Sequence, residues 1–75
     1  MTFKEATDRA QDLGLTAQDI SAHLNVAPHT YRLMRLEGQH GRRPPAGWQS
    51  LVLAALDQRV RELGQLRDDL LAAEW

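Results

Sequence analysis

The sequence predicts an all-α protein, a compact domain of four to five helices that contains a helix-turn-helix and ends in a C-terminal dimerisation helix. Three observations predict this fold. Apolar residues recur at spacings of three and four along most of the chain, capping residues precede these runs, and an asparagine interrupts the pattern between two short helices. The 75 residues make a single domain, with its core in residues 3–57 and a helical dimerisation region in residues 48–75.

The small size and the composition exclude several classes of protein. A chain of this length buries only about 60% of its unfolded surface, so it gains from dimerisation. The absence of cysteine excludes disulfides and thiolate metal sites, and we expect neither a metal nor a cofactor. The N-terminus is charged where a signal peptide needs an apolar run, and residues 51–56 are far shorter than the ~20 residues of a membrane span. We therefore expect a soluble cytoplasmic protein without membrane contact.

The first predicted helix covers residues 3–13 and is amphipathic. Its apolar residues are Phe3, Ala6, Ala10 and Leu13. Thr2 is a candidate N-cap with Glu5 three residues later, the spacing of a capping box. Gly14 is a candidate left-handed cap at the other end, since glycine adopts positive φ without a steric penalty.

The second predicted helix begins after Thr16 and is short. Thr16 and Asp19 form a variant of the capping box, and Ile20 and Leu24 repeat at a spacing of four. Asn25 then interrupts the pattern. Asparagine tolerates the left-handed backbone region better than most residues, so a single residue there lets two helices meet at a steep angle.

The third predicted helix begins near Ala27 or Pro28, because proline suits the first helical position. It ends at Gly38, so the helix itself covers residues 28–37. The residues predicted to face the core are Val26, Tyr31, Met34 and, less strictly, Leu33. Residues 38–47 hold three glycines and two prolines and are predicted to form a loop.

Residues 48–75 show a long helical pattern with a short run of heptad character. The apolar positions are Leu53, Leu56, Val60, Leu63 and Leu70, with Arg67 in the matching slot. Gly64 weakens a helix by about 1 kcal/mol relative to alanine, so residues 48–75 form either one helix or two. The predicted dimerisation residues are Leu56, Val60, Leu63 and Leu70.

The segment LTAQDISAHLNVAPHTYRLMRLEG, extended by GRRPPAGWQSLVLAAL, resembles the Cro and XRE-like helix-turn-helix family of phage and bacterial repressors. The resemblance covers roughly residues 13–57, and the layout is similar to small phage regulators such as anti-CRISPR-associated repressors. Where this chain has Ala17, Ser21 and Asn25, the family commonly has glutamine, alanine and glycine. The resemblance implies a DNA-binding protein whose third helix is the recognition helix.

Base contacts in such a motif come from the N-terminal part of the inserted helix. Arg32 is the first candidate, since arginine pairs bidentately with guanine O6 and N7. His29 is a second candidate, and Pro28 can contact a thymine methyl. Arg35, one turn later, reads a base or holds a phosphate. Tyr31 is expected in the core rather than stacked on a base.

Contacts to the DNA backbone are expected from polar and basic residues around the two helices. Their members are Thr16, Gln18, Thr30, Arg42 and Arg43. Gln18 can supply the phosphate contact that the family makes from the position of Ala17. Arg42 and Arg43, followed by two prolines, are expected to act as an electrostatic clamp or a minor-groove arm.

The charge distribution is compatible with DNA, although the net charge of −1 and the pI near 6.2 argue mildly against it. Residues 20–50 carry four arginines and one glutamate, a net +3, and the remainder of the chain carries −4. We expect a homodimeric transcriptional repressor that binds an inverted-repeat operator. The alternative is a protein-interaction module of helix-turn-helix shape that does not bind specific DNA. An enzyme is not expected, since no catalytic constellation is recognisable.

Overall fold

The computed structural model describes residues 1–36 and 41–73, in which it has four helices and no strand. The helices are α1 (Phe3–Asp12), α2 (Ala17–Leu24), α3 (Pro28–Arg35) and α4 (Trp48–Ala72). The all-α prediction is confirmed for these residues, with four helices rather than five. None of the helices within the described ranges has the length and the apolar character needed to cross a lipid bilayer.

Both predicted capping boxes are present. The Thr2 hydroxyl accepts the Glu5 N–H at 3.1 Å, and the Glu5 carboxylate accepts the Thr2 N–H at 3.2 Å. At α2, the Thr16 hydroxyl accepts the Asp19 N–H at 3.0 Å, and the Asp19 carboxylate accepts the Thr16 N–H at 3.3 Å. Each carboxylate is thus held by hydrogen bonds at a positive helix end, and the hydrogen bonds with the threonines lower the pKa of Glu5 and of Asp19.

The turn between α2 and α3 is built as the sequence predicts. Asn25 has φ 58° and ψ 44°, the left-handed conformation, and it is the C-cap of α2. The next N–H, of Val26, donates to the Ser21 carbonyl at 3.1 Å, which satisfies a carbonyl that the end of α2 would leave free. Pro28 then begins α3 after Ala27 as N-cap.

The end of α3 differs from the prediction. The helix stops at Arg35, and Leu36 is extended with φ −76° and ψ 140°, so the predicted end of the helix at residue 37 is two residues too late. The Leu33 carbonyl accepts both the N–H of Leu36 at 3.2 Å and the N–H of Arg42 at 3.0 Å, so a group from outside the helix takes part in ending it. The predicted terminator Gly38 lies outside the described residues.

Three aromatic rings join α1, α3 and α4. Phe3 stands edge-on to Trp48, with ring centroids 5.2 Å apart, and edge-on to Tyr31 at 6.1 Å. Tyr31 is buried as predicted, its hydroxyl donates to the Gln11 side-chain oxygen at 2.7 Å, and burial raises its pKa. The buried apolar core consists of Phe3, Ala10, Leu15, Ile20, Leu24, Tyr31, Met34, Val52 and Ala55.

The first part of α4 closes this core and the second part leaves it. α4 packs on α2 and α1, with Val52 and Ala55 buried. From Val60 onward every described side chain is exposed. α4 continues through Gly64 without a break, so the C-terminal pattern is one helix. Its projecting end makes the described structure long, 56 Å against 22 and 19 Å in the other directions.

Candidate nucleic-acid interface

The outer face of α3 carries the predicted base-contacting residues. Since Tyr31 and Met34 point into the core, the opposite positions of the helix face outward. Pro28, His29 and Arg32 are exposed there. His29 and Arg32 are three residues apart and therefore neighbours on one face. The structure thus brings three of the four predicted base contacts to the accessible, N-terminal part of one helix.

The basic segment after α3 lies beside the same helix. The hydrogen bond from the Arg42 N–H to the Leu33 carbonyl brings the returning chain against the last turns of α3. The side chains of Arg42 and Arg43 are exposed, whereas Pro44 and Pro45 are half-buried. The prolines therefore anchor the segment, and the two arginines remain accessible to an anion.

Arg35 occupies a different position from the one predicted. Its Nη2 donates to the Asp8 carboxylate of α1, and its guanidinium lies over the Tyr31 ring at 5.8 Å. The side chain is only 25% exposed, and within the described part of the chain its Nε has no hydrogen-bond partner. A base contact would require this ion pair to break. The geometry therefore indicates that Arg35 links α1 to α3. A DNA contact of Arg35 stays a prediction, and the ion pair with Asp8 does not favour it.

The predicted backbone contacts are accessible to different degrees. Gln18 and Thr16 are exposed at the start of α2, and Thr30 is half-buried on α3. The Thr16 hydroxyl oxygen already accepts the Asp19 N–H, which leaves its proton free to donate. Asp19 places a carboxylate at the N-terminus of α2, where a phosphate would otherwise bind, so this helix end is a weaker anion site than the sequence suggested.

A polar contact between α2 and α4 was not found from the sequence. Arg59 donates to the Asp19 carboxylate at 2.9 Å, and His23 Nε2 lies 3.0 Å from the Gln58 side-chain oxygen. Arg59 and Asp19 are 40 residues apart, and His23 and Gln58 are 35 apart, so no local spacing could have paired them. They orient α2 on α4, and Arg59, although it is basic, is engaged within the domain.

The predicted dimerisation residues fall into two groups. Leu56 packs against the core of its own domain, and its use in a dimer stays a prediction that this packing does not favour. Val60, Leu63 and Leu70 are more than half exposed. Leu66 and Leu71 are equally exposed and were not singled out from the sequence, although Leu63, Leu66 and Leu70 have the spacing of three and four that would have indicated Leu66.

Metal chemistry has no candidate in the residues that the structure describes, since no three histidine, aspartate or glutamate side chains come together there. No protein-family model matches the chain, and neither a characterised protein nor a solved structure matches it significantly.

Proposed function

We propose that this protein is a sequence-specific DNA-binding regulator, a homodimeric repressor that reads an inverted-repeat operator with α3. The observation that carries the proposal is the arrangement of α2, the left-handed Asn25 and α3, which leaves His29 and Arg32 exposed on the outer face of the third helix. This arrangement supports a helix-turn-helix, in which one helix enters the major groove and the other crosses the backbone.

Base recognition is assigned to the first two turns of α3. Arg32 has the length and the donors to pair with guanine O6 and N7, a contact worth about 1–3 kcal/mol of discrimination. His29 can donate to or accept from a base edge one turn earlier, and Pro28 offers an apolar contact to a thymine methyl. Tyr31 and Met34 are buried beneath them, so the packing of α3 on the domain would keep both polar side chains directed outward, toward the groove.

Affinity is assigned to the arginines beside the helix. Arg42 and Arg43 face solvent and lie next to α3, so they can neutralise phosphates on either side of the groove. Each phosphate contact contributes about 0.9 to the slope of log affinity against log salt. With so few free arginines and a net charge of −1, the expected binding is moderate and depends strongly on the base contacts.

Dimerisation is assigned to the exposed end of α4. Two copies of α3 would enter major grooves on the same side of the duplex, about 34 Å or a multiple of that distance apart, which requires two domains held together. The exposed leucines beyond Arg59 supply the apolar surface for this contact.

The test is selection of bound duplexes from random-sequence DNA, followed by anisotropy titration of the selected site. Arg32→Gln should lower affinity for the selected site by tenfold or more and relax the preference at one base pair of each half-site. Arg42→Gln removes one phosphate contact from each copy of the dimer, so it should weaken binding to selected and unselected DNA alike and reduce the salt slope by about 2. Arg61→Gln is the matched control, because Arg61 is exposed on the projecting end of α4. Equal, weak affinity for every duplex would refute the proposal.

A protein-interaction module without specific DNA binding is the second candidate, and the exposed leucines of α4 favour it. The discriminating variant reverses charge at Arg32 and Arg42 together, since Arg35 is tied to Asp8 and its reversal would perturb the fold. Under the DNA-binding proposal this double variant folds but loses DNA binding. If the unmodified protein binds no duplex and instead retains a protein partner through α4, the second candidate is correct.

A further inference from the structure

The projecting half of α4 carries an apolar stripe with no cover in the described structure. We call Leu63, Leu66 and Leu70 the distal stripe; they are 57%, 54% and 60% exposed. Their spacing of three and four residues places them on one face of the helix. Val60 and Leu71, also exposed, border this face on one side. A contiguous apolar patch of this size on a projecting helix marks a candidate interaction surface.

The distal stripe continues the side of α4 that lies against the domain. Leu56 and Val52, about two and three turns before Leu63 along the same three-and-four pattern, belong to the core or pack against it. Arg59 comes next and pairs with Asp19 of α2. At 3.6 residues per turn all six positions fall within one quarter of the helix circumference. The domain therefore ends near Arg59, and the stripe extends beyond it on the same side.

We propose that the distal stripe pairs with the distal stripe of a second copy of this chain, and that the two helices run antiparallel. In this arrangement Leu66 of one copy lies opposite Leu70 of the other, and Leu63 lies opposite Ala73. The inference builds on the homodimer of the proposed function and is independent of DNA binding.

The apolar area is sufficient for a weak dimer. The four exposed leucines in the overlap, Leu63, Leu66, Leu70 and Leu71, each have on the order of 100 Å² left to bury, so two copies remove about 800 Å² of apolar surface together. Such an area is typical of a weak, reversible dimer. A second copy supplies a stripe of the same length and spacing, so every layer of one helix has an apolar counterpart on the other.

The position of the domain decides the direction of the pair. Helix axes in such a pair are 8–10 Å apart. In a parallel pair the second helix would lie along the same side of α4 over its whole length. Its N-terminal half would then overlap α2 and the core, which pack against Val52 and Leu56. An antiparallel partner overlaps only the projecting segment and ends where the domain begins. It also places the two domains at opposite ends, with the two copies of Val52 about 48 Å apart along the pair.

The flanking charges act against this direction but are too weak to reverse it. Arg67 borders the distal stripe on one side, and Glu62 and Asp69 border it on the other. A parallel pair would set Arg67 opposite Glu62 of the second copy, whereas the antiparallel pair sets Arg67 opposite Arg67. Exposed charge pairs of this kind contribute little, whereas overlap of two packed cores is not tolerated. The dimer is therefore weak, and it tightens as salt screens the like charges.

Disulfide trapping tests the direction. The chain has no cysteine, so Leu66→Cys and Leu70→Cys each introduce a single thiol. An equimolar mixture of the two variants, one carrying a mass tag, should form mainly the mixed disulfide on mild oxidation, and each variant alone should cross-link poorly. Disulfides within each variant and few between them would show a parallel pair and overturn the proposal. A light-scattering mass of a monomer at 100 μM or so would overturn the dimer altogether.

A charge substitution gives a second, independent test. Arg67→Gln keeps the aliphatic stem and removes the charge, so it should tighten the antiparallel dimer by about two- to threefold. A parallel dimer would instead weaken by a similar factor, because it loses the attraction to Glu62. Arg61→Gln, on the outer side of α4, is the matched control and should change dimerisation little. Neither test contains DNA, so each outcome is separate from the failure or success of DNA binding.

Discussion

The contact between Arg35 and Asp8 allows two roles of Arg35 to be distinguished by experiment, a structural role between α1 and α3 and a role in base recognition. Replacing Arg35 by alanine removes the ion pair to Asp8 and the cation–π contact to Tyr31. The two charged side chains are 25% and 40% exposed, so solvent screens the pair and its share is about 1 kcal/mol. The contact to the ring adds about 0.5–1 kcal/mol. The expected loss of unfolding free energy is therefore about 2 kcal/mol.

A thermal melt followed by circular dichroism measures this loss. In a domain of this size about 2 kcal/mol lowers the melting temperature by roughly 8–16 °C. A double-mutant cycle with Asp8→Asn isolates the ion pair, for which we expect a coupling of about 1 kcal/mol. Lys4, which also contacts Asp8 at 2.9 Å, gives the matched control: Lys4→Gln removes an exposed pair and should change stability by less than about 0.5 kcal/mol.

A DNA-binding assay of the Arg35 and Arg32 variants is the second measurement. Below its melting temperature, Arg35→Gln should retain the base preference of the selected site, whereas Arg32→Gln should relax it. A coupling near zero between Arg35 and Asp8, together with a lost base preference in Arg35→Gln, would refute this reasoning and restore Arg35 as a base contact.

Three further predictions concern the fold. Asn25→Val should lower the free energy of unfolding by about 1–2 kcal/mol in denaturant unfolding, because a β-branched residue is strained at φ 58°. Asn25→Gly should be nearly neutral, and equal effects of the two substitutions would contradict the left-handed conformation at this turn. The lowered pKa of Asp19 means that its stabilising effect is present above the unfolded pKa, near pH 4, and is lost as pH falls through the lower folded value. Asp19→Asn should therefore flatten the acid limb of the stability–pH curve, and an unchanged curve would contradict this. Tyr31→Phe should lower the free energy of unfolding by about 1 kcal/mol, because it removes the hydrogen bond to Gln11. Above pH 10 the variant should gain stability relative to the parent protein, because the raised pKa of Tyr31 opposes its ionisation in the folded state.

Most of the helical architecture was predictable because its determinants are local. The two capping boxes each join residues three positions apart, and the Asn25 turn depends on the backbone preference of a single residue. Pro28 and the inward-facing pair Tyr31 and Met34 follow from helix geometry alone. The end of α3 was predicted too late because one of its determinants is not local: besides the N–H of Leu36, the Leu33 carbonyl accepts the N–H of Arg42, which lies well beyond the end of the helix in the sequence.

The candidate site was predictable only in part. Exposure of His29 and Arg32 follows from the helical period once the buried face of α3 is known. The partner of Arg35 does not, because Asp8 lies 27 residues earlier on a different helix. An arginine at a given position of α3 has the same local pattern whether it faces solvent or another helix, and only the packing of α1 distinguishes the two.

The sequence by itself determined where the helices begin, which residues cap them and how α2 turns into α3, since each of these depends on groups within a few residues of one another. The tertiary structure decided which arginines remain free and which face of α4 is covered. The apolar residues of α4 cover a wide part of its circumference, so more than one face of the helix could pack against the domain. Contact with α2 buries Val52 and Ala55 in the core and leaves Leu53 and Val60 exposed. That choice turns the distal stripe toward the side of the domain, and it follows from packing over long sequence distances that no local pattern encodes.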